Sequence, residues 1–565
     1  MLKHGLSLGL LSLLLWLFCP MGLFGAGLTL LPSAQARVSY QLNVELNTDT
    51  ASLQGEQFLT FTHEGKEPLK ELFFRLDANT QARMQVREVL SADKLVLPGR
   101  LYRYTYLGRE IEDPLLYQVF LSQPLEPGQE LKLTFRYVIE RLPQANRSYY
   151  LIDDPARLGL GSWYPRLVTY QKGEWHPEVS ELSDYSVSAR VLDKLFAISP
   201  LAPVSLSSSD HTYRYSAERQ SGLDLIFTPD LLLRTADVDD LQLRYYYPGK
   251  MQKWSTEALQ ITEEILRFFK QRYGVFPGKR LTIVATEDSK YPVIASQQLL
   301  ILRNSFAEGK DEARSRQQLT EWLVYGIAQQ YWGQRVRQTQ ELLPWITQGL
   351  ALYTGQVYMQ QKRKSYLLGD QTSENYLRSA RQGWNTSLQT PRLILDRLPL
   401  NSFSALAQGK GYTLFRMLDV LLGKKVLENL EVQLQKRYLQ KDLTVQDFQT
   451  ELEKIAGKDL QWFFRQWVQE SHVIDYAIQS LQVSEREGKY TVTVTVQRLG
   501  EAVMPVSIAL VLKSGEVVFH LWDGNSRSER LSFEVTSEVK EVRLDPSGVT
   551  PDVDRSNNRF VNQGQ

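Results

Sequence analysis

Apolar and polar residues alternate along much of the chain between residues 37 and 241. The alternation is clearest in segments 40–46, 56–62, 131–139 and 185–191. A period of two residues places every second side chain on one face of a β-strand, so these segments predict strands with one buried face. We find no long stretch of helical period among them. We therefore expect an all-β domain over residues 37–241.

The periodicity changes near Pro248. Ala258, Ile261 and Ile265 recur at helical spacing, and Gly274 supplies a stop signal for that helix. A short apolar run at 280–285 predicts a buried strand. Between residues 311 and 468 several further segments carry apolar residues at helical spacing. The pattern predicts a second, mostly helical domain over residues 242–471.

Strand-like alternation returns after His472. Residues 490–496 alternate strictly between threonine and the larger apolar side chains of tyrosine and valine. Shorter apolar runs follow at 506–511, 517–521, 531–535 and 539–544. Several short strands in one segment are typical of a β-sandwich, which we expect over residues 472–565. With a length of 565 residues, the chain fits a multidomain α+β fold of three domains.

The N-terminus has the pattern of a targeting segment. Lys3 precedes an apolar run over residues 6–31, and Ala34-Gln-Ala36 fits a signal-peptidase site. Residues 1–36 are therefore predicted to be a signal peptide, with an uncleaved membrane anchor as the alternative. Both interpretations place the rest of the chain outside the cytoplasm, either secreted or anchored. The single cysteine, Cys19, lies in this segment, so a processed chain would have no disulfide.

The charge of the chain is balanced. Lys and Arg number 65 against 64 Asp and Glu, for a net charge of +1. Such a balance gives no support for nucleic-acid binding or for electrostatic docking to a membrane. We expect no nucleic-acid partner, and we expect contact with a membrane only through an uncleaved N-terminal segment.

Two central segments carry the candidate chemistry. Residues 321–333 read Glu-Trp-Leu-Val-Tyr-Gly-Ile-Ala-Gln-Gln-Tyr-Trp-Gly, and residues 345–353 read Trp-Ile-Thr-Gln-Gly-Leu-Ala-Leu-Tyr. Their frames resemble the zinc helix and the third-ligand segment of gluzincin zinc aminopeptidases of the membrane alanyl aminopeptidase type. The order of domains resembles that family too. The resemblance implies a saddle-like N-terminal β domain, a thermolysin-like central domain and a C-terminal β-sandwich.

The resemblance also shows which zinc ligands are missing. The two histidine positions fall on Tyr325 and Gln329, and the glutamate ligand falls on Gln348, 348 − 329 = 19 residues further on. Phenol and carboxamide groups are poor zinc ligands. Between His211 and His472 the chain has no histidine and no cysteine, so no shift of the alignment restores a histidine–glutamate site. We therefore expect no cofactor, although the family uses zinc.

The other catalytic positions are replaced as well. The general base of the family falls on Gly326, which has no side chain. The glutamate that would bind a substrate α-amine falls on Gln297, and the tyrosine that would steady the tetrahedral intermediate falls on Gln408. Tyr412, one helical turn after Gln408, is a candidate substitute for that tyrosine.

These replacements favour a catalytically inactive homologue that acts outside the cytoplasm as a binding or scaffold protein. Its partner would be a peptide or a protein, held in the old substrate cleft or on the β-sandwich. The alternative is an active metallo-aminopeptidase with a non-standard site. A glycan hydrolase with paired carboxylates is a third class, but no such pair stands out. The sequence leaves open whether the former zinc cleft is filled by Tyr325 or is an open cleft lined with amides.

Overall fold

The computed structural model of the chain describes residues 37–562 with gaps. The gaps are 107–108, 143, 146–147, 152–161, 172, 177–180, 192–194, 202, 208–210, 230, 275, 288–290, 339–342, 391–401, 403 and 440. The predicted leader, residues 1–36, lies outside the described residues. Within the described ranges, no helix combines the length and the apolar character needed to cross a membrane.

The N-terminal part of the fold consists of β-sheets. Its strands are β1 Val38–Asn47, β2 Ser52–Thr62, β3 Leu69–Arg75, β4 Arg83–Ser91, β5 Gly99–Tyr106, β6 Arg109–Leu125, β7 Glu130–Glu140, β8 Gln144–Ala145, β9 Ser148–Leu151, β10 Arg166–Leu167, β11 Thr169–Gln171, β12 Glu174–His176, β13 Ser183–Val191, β14 Phe196–Ile198, β15 Pro203–Ser207, β16 Thr212–Gln220 and β17 Leu225–Thr228. The sheet orders are β15-β16-β13-β1-β2-β7-β4, β10-β3-β6-β5 and β14-β17-β9-β8, with β11-β12 as a hairpin.

Strand β1 shows how the alternating pattern produces these sheets. Leu42 and Leu46 are fully buried on one face of the strand, while Asn43 and Glu45 between them lie on the other face. β1 pairs antiparallel with β2 and parallel with β13. Because one face of each strand must be removed from water, the alternation determines which side of the sheet meets the core. The prediction of an all-β N-terminal part is confirmed.

A five-stranded sheet opens the central part. Its strands are β18 Leu231–Val238, β19 Leu241–Pro248, β20 Arg280–Thr286, β21 Val293–Ser296 and β22 Leu299–Arg303, in the order β18-β19-β20-β22-β21. β18 and β19 form a hairpin that joins β20 in parallel. The sheet thus continues across residue 241, where the sequence pattern placed a domain boundary. The alternation within a hairpin does not indicate which sheet it will join.

Helices make up most of the rest of the central part. They are α1 Gln252–Tyr273, α2 Glu312–Tyr331, α3 Trp345–Gln361, α4 Leu367–Arg381, α5 Gly411–Leu422, α6 Lys424–Arg437, α7 Val445–Ala456 and α8 Gln461–Phe464. π-Helical segments Ala405–Lys410 and Arg465–Gln469 precede α5 and follow α8. Short 3-10 turns lie at Asp77–Thr80, Gly249–Met251, Ser305–Glu308 and Arg555–Asn557, and the strands β23 Arg337–Gln338 and β24 Asp442–Leu443 form a small parallel pair.

Helix α2 runs through the middle of this central part. The Asp311 side chain caps its start by accepting hydrogen bonds from the backbone amides of Ala313 and Arg314. From Glu321 to Tyr331 every residue of α2 is buried. The helix therefore packs on all sides in its second half, and polar side chains in that half must find partners inside the protein.

The C-terminal part is a sandwich of two antiparallel sheets. Its strands are β25 Tyr476–Arg486, β26 Lys489–Arg498, β27 Val506–Leu512, β28 Val517–Trp522, β29 Ser528–Val535, β30 Val539–Leu544 and β31 Arg559–Val561. The sheet orders are β25-β26-β29 and β28-β27-β30-β31. Val492 and Val494 of one sheet share a core with Ile508 and Leu510 of the other. The predicted fold class, a multidomain α+β chain ending in a β-sandwich, is confirmed.

Candidate functional site

Helices α2 and α3 bring together the three positions on which the zinc ligands of the resemblance fall. Tyr325 and Gln329 lie one turn apart on α2, and Gln348 lies in the first turn of α3. The Tyr325 hydroxyl donates a hydrogen bond of 2.6 Å to Gln348 Oε1. Gln348 Nε2 in turn donates to Gln329 Oε1 at 3.3 Å. The three positions that the motif singled out are therefore neighbours, as zinc ligands would be, but they bond to one another.

Gln408, the fourth replaced position, joins the same group. Its Nε2 donates to the Tyr325 hydroxyl at 2.9 Å and lies 3.5 Å from Gln348 Oε1. Ser404 Oγ donates to Gln408 Oε1 at 2.6 Å, which fixes the orientation of the amide. We call Tyr325, Gln329, Gln348 and Gln408 the amide–phenol network. It links α2, α3 and the π-helical segment through neutral hydrogen bonds.

A close approach of two helices places Gln408 within reach of this network. A Cβ atom on Gly349 of α3 would lie 2.7 Å from the backbone of Gly411, and one on Gly411 would lie 2.5 Å from the Trp345 carbonyl oxygen. Any larger side chain would push α3 and α5 apart. The two glycines thus permit the backbone contact that lets a residue just before α5 reach α2 and α3.

Three of the four network members are buried, Gln408 is half-buried, and none of the four carries a charged group. Tyr325, Gln329 and Gln348 are only 5%, 7% and 8% exposed. A buried amide is stable only when its polar atoms are paired, and here the network members pair with one another. Zinc favours imidazole, thiolate and carboxylate ligands, so this donor set does not fit a zinc ion. Among the described residues there is also no group of three or more His, Cys, Asp or Glu side chains that could hold a metal.

Gly326, at the general-base position, packs against the central sheet. A Cβ atom there would meet Val293 Cγ2 at 3.0 Å and both Leu300 methyl carbons at 3.1 Å. These contacts are tighter than ordinary van der Waals distances, so even an alanine would require its neighbours to shift. The space next to Gly326 that a catalytic glutamate would need is occupied by apolar side chains of β21 and β22.

Gln297 lies outside the amide–phenol network. Its Oε1 accepts hydrogen bonds from the backbone amide and the hydroxyl of Ser221, at 3.4 Å and 3.3 Å. The neighbouring turn is tied to α2 by Gln330, whose side chain accepts from the Gln298 amide at 2.9 Å and donates to the Ser296 carbonyl at 2.8 Å. The amine-sensing position is therefore engaged with the N-terminal part of the chain.

Tyr412, the candidate substitute, points elsewhere. Its hydroxyl donates to Gln356 Oε1 at 2.6 Å, and its ring meets Tyr366 edge-on. The side chain is almost fully buried, and burial raises the pKa of the Tyr412 hydroxyl. Its hydroxyl is therefore engaged with the side of α3 that carries Gln356, two turns beyond Gln348.

A comparison with protein families identifies the domain that contains these residues. Residues 257–467 match the family model described as the peptidase family M1 domain. The central part of the chain is an M1 peptidase domain. It contains α2, α3 and the whole amide–phenol network, so the gluzincin resemblance of the motif is confirmed at the level of the family.

The likeness to a solved structure extends beyond the matched segment. The structure resembles that of Legionella pneumophila aminopeptidase A in complex with aspartic acid, with a TM-score of 0.65 and 13% sequence identity. The match covers 92% of this chain but 59% of that one, so the chain spans under two thirds of its length. At this identity the likeness shows a shared fold. No curated protein matches the chain.

Two buried charged residues near the M1 site escaped the sequence interpretation. Glu321 accepts hydrogen bonds from the backbone amides of Leu367 and Leu368, at 3.1 Å and 2.9 Å, and so caps the start of α4. Burial raises the pKa of the Glu321 carboxyl. The capped helix begins 46 residues further along the chain, as the separation of Glu321 and Leu367 shows, so no local capping signal exists in the sequence.

Lys410 is the second of these residues. It is fully buried, and its Nζ donates one hydrogen bond to the Thr386 carbonyl at 3.2 Å. Burial lowers the pKa of the Lys410 ammonium to about 7. In the sequence, a Gly-Lys-Gly triplet is typical of a turn exposed to solvent. Only the packing of the π-helical segment shows that Lys410 is buried.

Proposed function

We propose that this chain is a catalytically inactive M1 homologue that acts as a binding or scaffold protein outside the cytoplasm. The amide–phenol network is the observation that carries the proposal. Its four members occupy the positions that would bind zinc and stabilise the reaction intermediate in the family, and they hydrogen-bond to one another. Each bond uses atoms that a metal or a substrate would otherwise contact.

The surroundings of the network support the same proposal. Gly326 offers no group that could activate water, and Val293 and Leu300 fill the space beside it. Gln297 is neutral and is bonded to Ser221, so it presents no charge to a substrate α-amine. General-base catalysis needs a titratable group within hydrogen-bond reach of the attacking water. Gly326 supplies none, and the one titratable group of the network, the Tyr325 hydroxyl, is hydrogen-bonded to Gln348 and Gln408.

The pairing of polar atoms within the network also affects where a partner would bind. Polar atoms that are already paired and buried gain little from a new ligand, because each new bond replaces an existing one. This favours the outer surfaces of the molecule, the β-sandwich included, over the former cleft. The partner would be a peptide or protein, and the predicted N-terminal segment would direct the chain to a secreted or membrane-anchored location.

Metal content and peptidase activity test the proposal directly. We expect the purified chain to contain less than a tenth of an equivalent of zinc by mass spectrometry and not to hydrolyse aminoacyl nitroanilides. We expect chelator to leave its melting temperature unchanged, since a ligand that binds the native state would stabilise it. The matched control is the triple variant Tyr325→His, Gln329→His and Gln348→Glu, which leaves the tightly packed Gly326 unchanged and is assayed for zinc in the same way.

One equivalent of zinc in the unmodified chain, together with hydrolysis that chelator abolishes, would refute the proposal. That result would favour the alternative, an active metallo-aminopeptidase with a non-standard site. Zinc bound by the triple variant would show that the assay detects the metal in this scaffold. This variant is a control on detection, and its own activity is not required by the proposal.

A further inference from the structure

The two outer faces of the C-terminal sandwich differ in character. On the sheet β25-β26-β29, the outward residues of β26 are Thr491, Thr493 and Thr495. Their cross-strand neighbours on β29 are Glu534, Ser532 and Arg530. All six are polar, as is usual for a sheet face that meets water.

The outer face of β28 is apolar instead. Val517, Phe519 and Leu521 are 41%, 62% and 73% exposed. They alternate with Val518 and His520, which turn towards the other sheet, where the His520 ring stacks on Phe533 at 4.0 Å. Within the described part of the chain β28 is an edge strand. A contiguous row of exposed large apolar side chains on a soluble domain commonly marks an interaction site.

Two arginines share this face with the apolar row. The pairing register places Phe519 beside Ala509, Ala509 beside Arg543, and Arg543 beside Arg559. Arg559 Nε donates to Glu541 Oε2 at 2.6 Å, and Arg543 contacts the other oxygen of the same carboxylate. One carboxylate thus serves two guanidinium groups that are 47% and 59% exposed. Most of their N–H donors and one net positive charge remain open to a partner.

The dimensions of the face select the kind of partner. With strands about 4.8 Å apart, the apolar row on β28 lies about 10 Å from β30 and about 14 Å from β31. A single extended strand is too narrow to contact both features, whereas an α-helix with side chains is about 10–12 Å across. Three side chains of at most roughly 200 Å² each offer less than the ~800 Å² per partner of a standard interface, so a second copy of the chain fits poorly.

We propose that the face formed by Val517, Phe519, Leu521, Arg543 and Arg559 docks an acidic amphipathic helix of a partner protein. The apolar stripe of the helix covers the β28 row. Carboxylates on one flank of the helix accept bidentate hydrogen bonds from the two arginines. The inference rests on the proposed function, because it names the surface through which an inactive homologue binds.

Selection from a displayed peptide library tests this surface even though the partner is unidentified. The full chain is immobilised, and bound peptides are sequenced and remade for affinity measurement. We expect enriched peptides with apolar residues at i, i+3 or i+4 and i+7, and with Asp or Glu on one flank. Phe519→Ser and Arg543→Glu should each weaken their binding at least about tenfold.

Two controls make the readout specific. Val96→Ser removes another exposed apolar residue, in the N-terminal part of the chain, and should leave peptide affinity unchanged. Peptides in which Lys replaces the Glu residues of the flank should bind the Arg543→Glu variant and should not bind the unmodified chain. Leu521→Ser replaces Phe519→Ser if the latter does not fold, as judged by circular dichroism.

Three results would overturn the inference. They are a selection that enriches no helical acidic pattern, enriched peptides that extend along β28 without helical period, and affinities that do not respond to either variant. If the selection fails and the chain is zinc-free and inactive, the docking surface is refuted and the proposed function stands. Zinc-dependent hydrolysis removes the proposed function, whatever the selection shows.

Discussion

At the scale of single residues, the side chains of the amide–phenol network suit a closed chain of hydrogen bonds. A phenol and a carboxamide each act as donor and acceptor, so Tyr325 can accept from Gln408 while it donates to Gln348. The same chemistry makes them poor zinc ligands, because neither carries negative charge near neutral pH. The side chains that are poor zinc ligands therefore stabilise the contact between the helices through their hydrogen bonds to one another.

Tyr325→Phe tests how much this network stabilises the fold. The change removes the 2.6 Å donor of Gln348 Oε1 and the 2.9 Å acceptor of Gln408 Nε2, and leaves these two atoms only their long 3.5 Å contact with each other. Buried polar atoms that lose a partner cost about 1–3 kcal/mol, so we expect the free energy of unfolding to fall by about 2 kcal/mol in urea titrations. Tyr366→Phe is the matched control, because its buried hydroxyl has no hydrogen-bond partner among the described residues. Equal effects of the two variants would contradict the prediction.

Lys410 makes stability depend on pH. Burial lowers its pKa in the folded chain to about 7, against about 10.4 in an unfolded chain. Between these values the unfolded chain holds a proton that the folded chain does not, so stability falls by about 1.4 kcal/mol for each unit that the pH decreases. This loss is complete below pH 7 and absent above the unfolded pKa.

Lys410→Met removes that penalty. We expect the variant to exceed the unmodified chain in unfolding free energy by roughly 3 kcal/mol at pH 7, after a cost of about 1 kcal/mol for the lost bond to Thr386. The difference should shrink as the pH rises towards 10 and then change sign. Lys425→Met, at an exposed position in α6, should show no such trend. A pH-independent difference between the Lys410 variant and the unmodified chain would count against a neutral buried amine.

At the scale of elements, contacts distant in sequence hold the helices around the network. Glu321 on α2 caps α4, and the glycines of α3 and α5 allow their backbones to touch. The π-helical segment Ala405–Lys410 widens the helix just before α5, and Gln408 projects from it towards α2. These contacts tie α4 and the π-helical segment to α2, which is buried through its second half, and they hold α5 against α3.

Glu321→Gln should loosen α4 locally. In the native chain the amides of Leu367 and Leu368 each donate to one oxygen of the Glu321 carboxylate. A glutamine keeps one of these acceptor oxygens and places an NH₂ donor against the other backbone amide. Loss of a helix cap costs about 0.5–2 kcal/mol. Hydrogen exchange should show faster exchange at Leu367 and Leu368 by roughly tenfold. Glu374→Gln changes an exposed carboxylate of the same helix and should leave those amides unaffected.

At the scale of the whole molecule, short-range pattern predicted the architecture well. Alternation marked the strands of both β parts, and the motif spacing placed Tyr325, Gln329 and Gln348 side by side. The bonds among them were not predictable, because they depend on side-chain orientation and on the reach of Gln408 across a helix crossing. The cap at Glu321 and the burial of Lys410 were missed for the same reason: both result from segments distant in the sequence.

On the proposed function, the apolar contacts at Gly326 also make a return to catalytic activity difficult. A glutamate introduced there would have to displace Val293 and Leu300, which sit 3.0–3.1 Å from the first atom of any side chain. Histidines at positions 325 and 329 would still lack a general base at position 326. A glutamate at position 326 alone would have no space for its side chain. Each single step back towards hydrolysis therefore costs stability before it returns any activity. On that proposal, substitutions on the surface of the chain are accommodated far more readily than a return to peptidase activity.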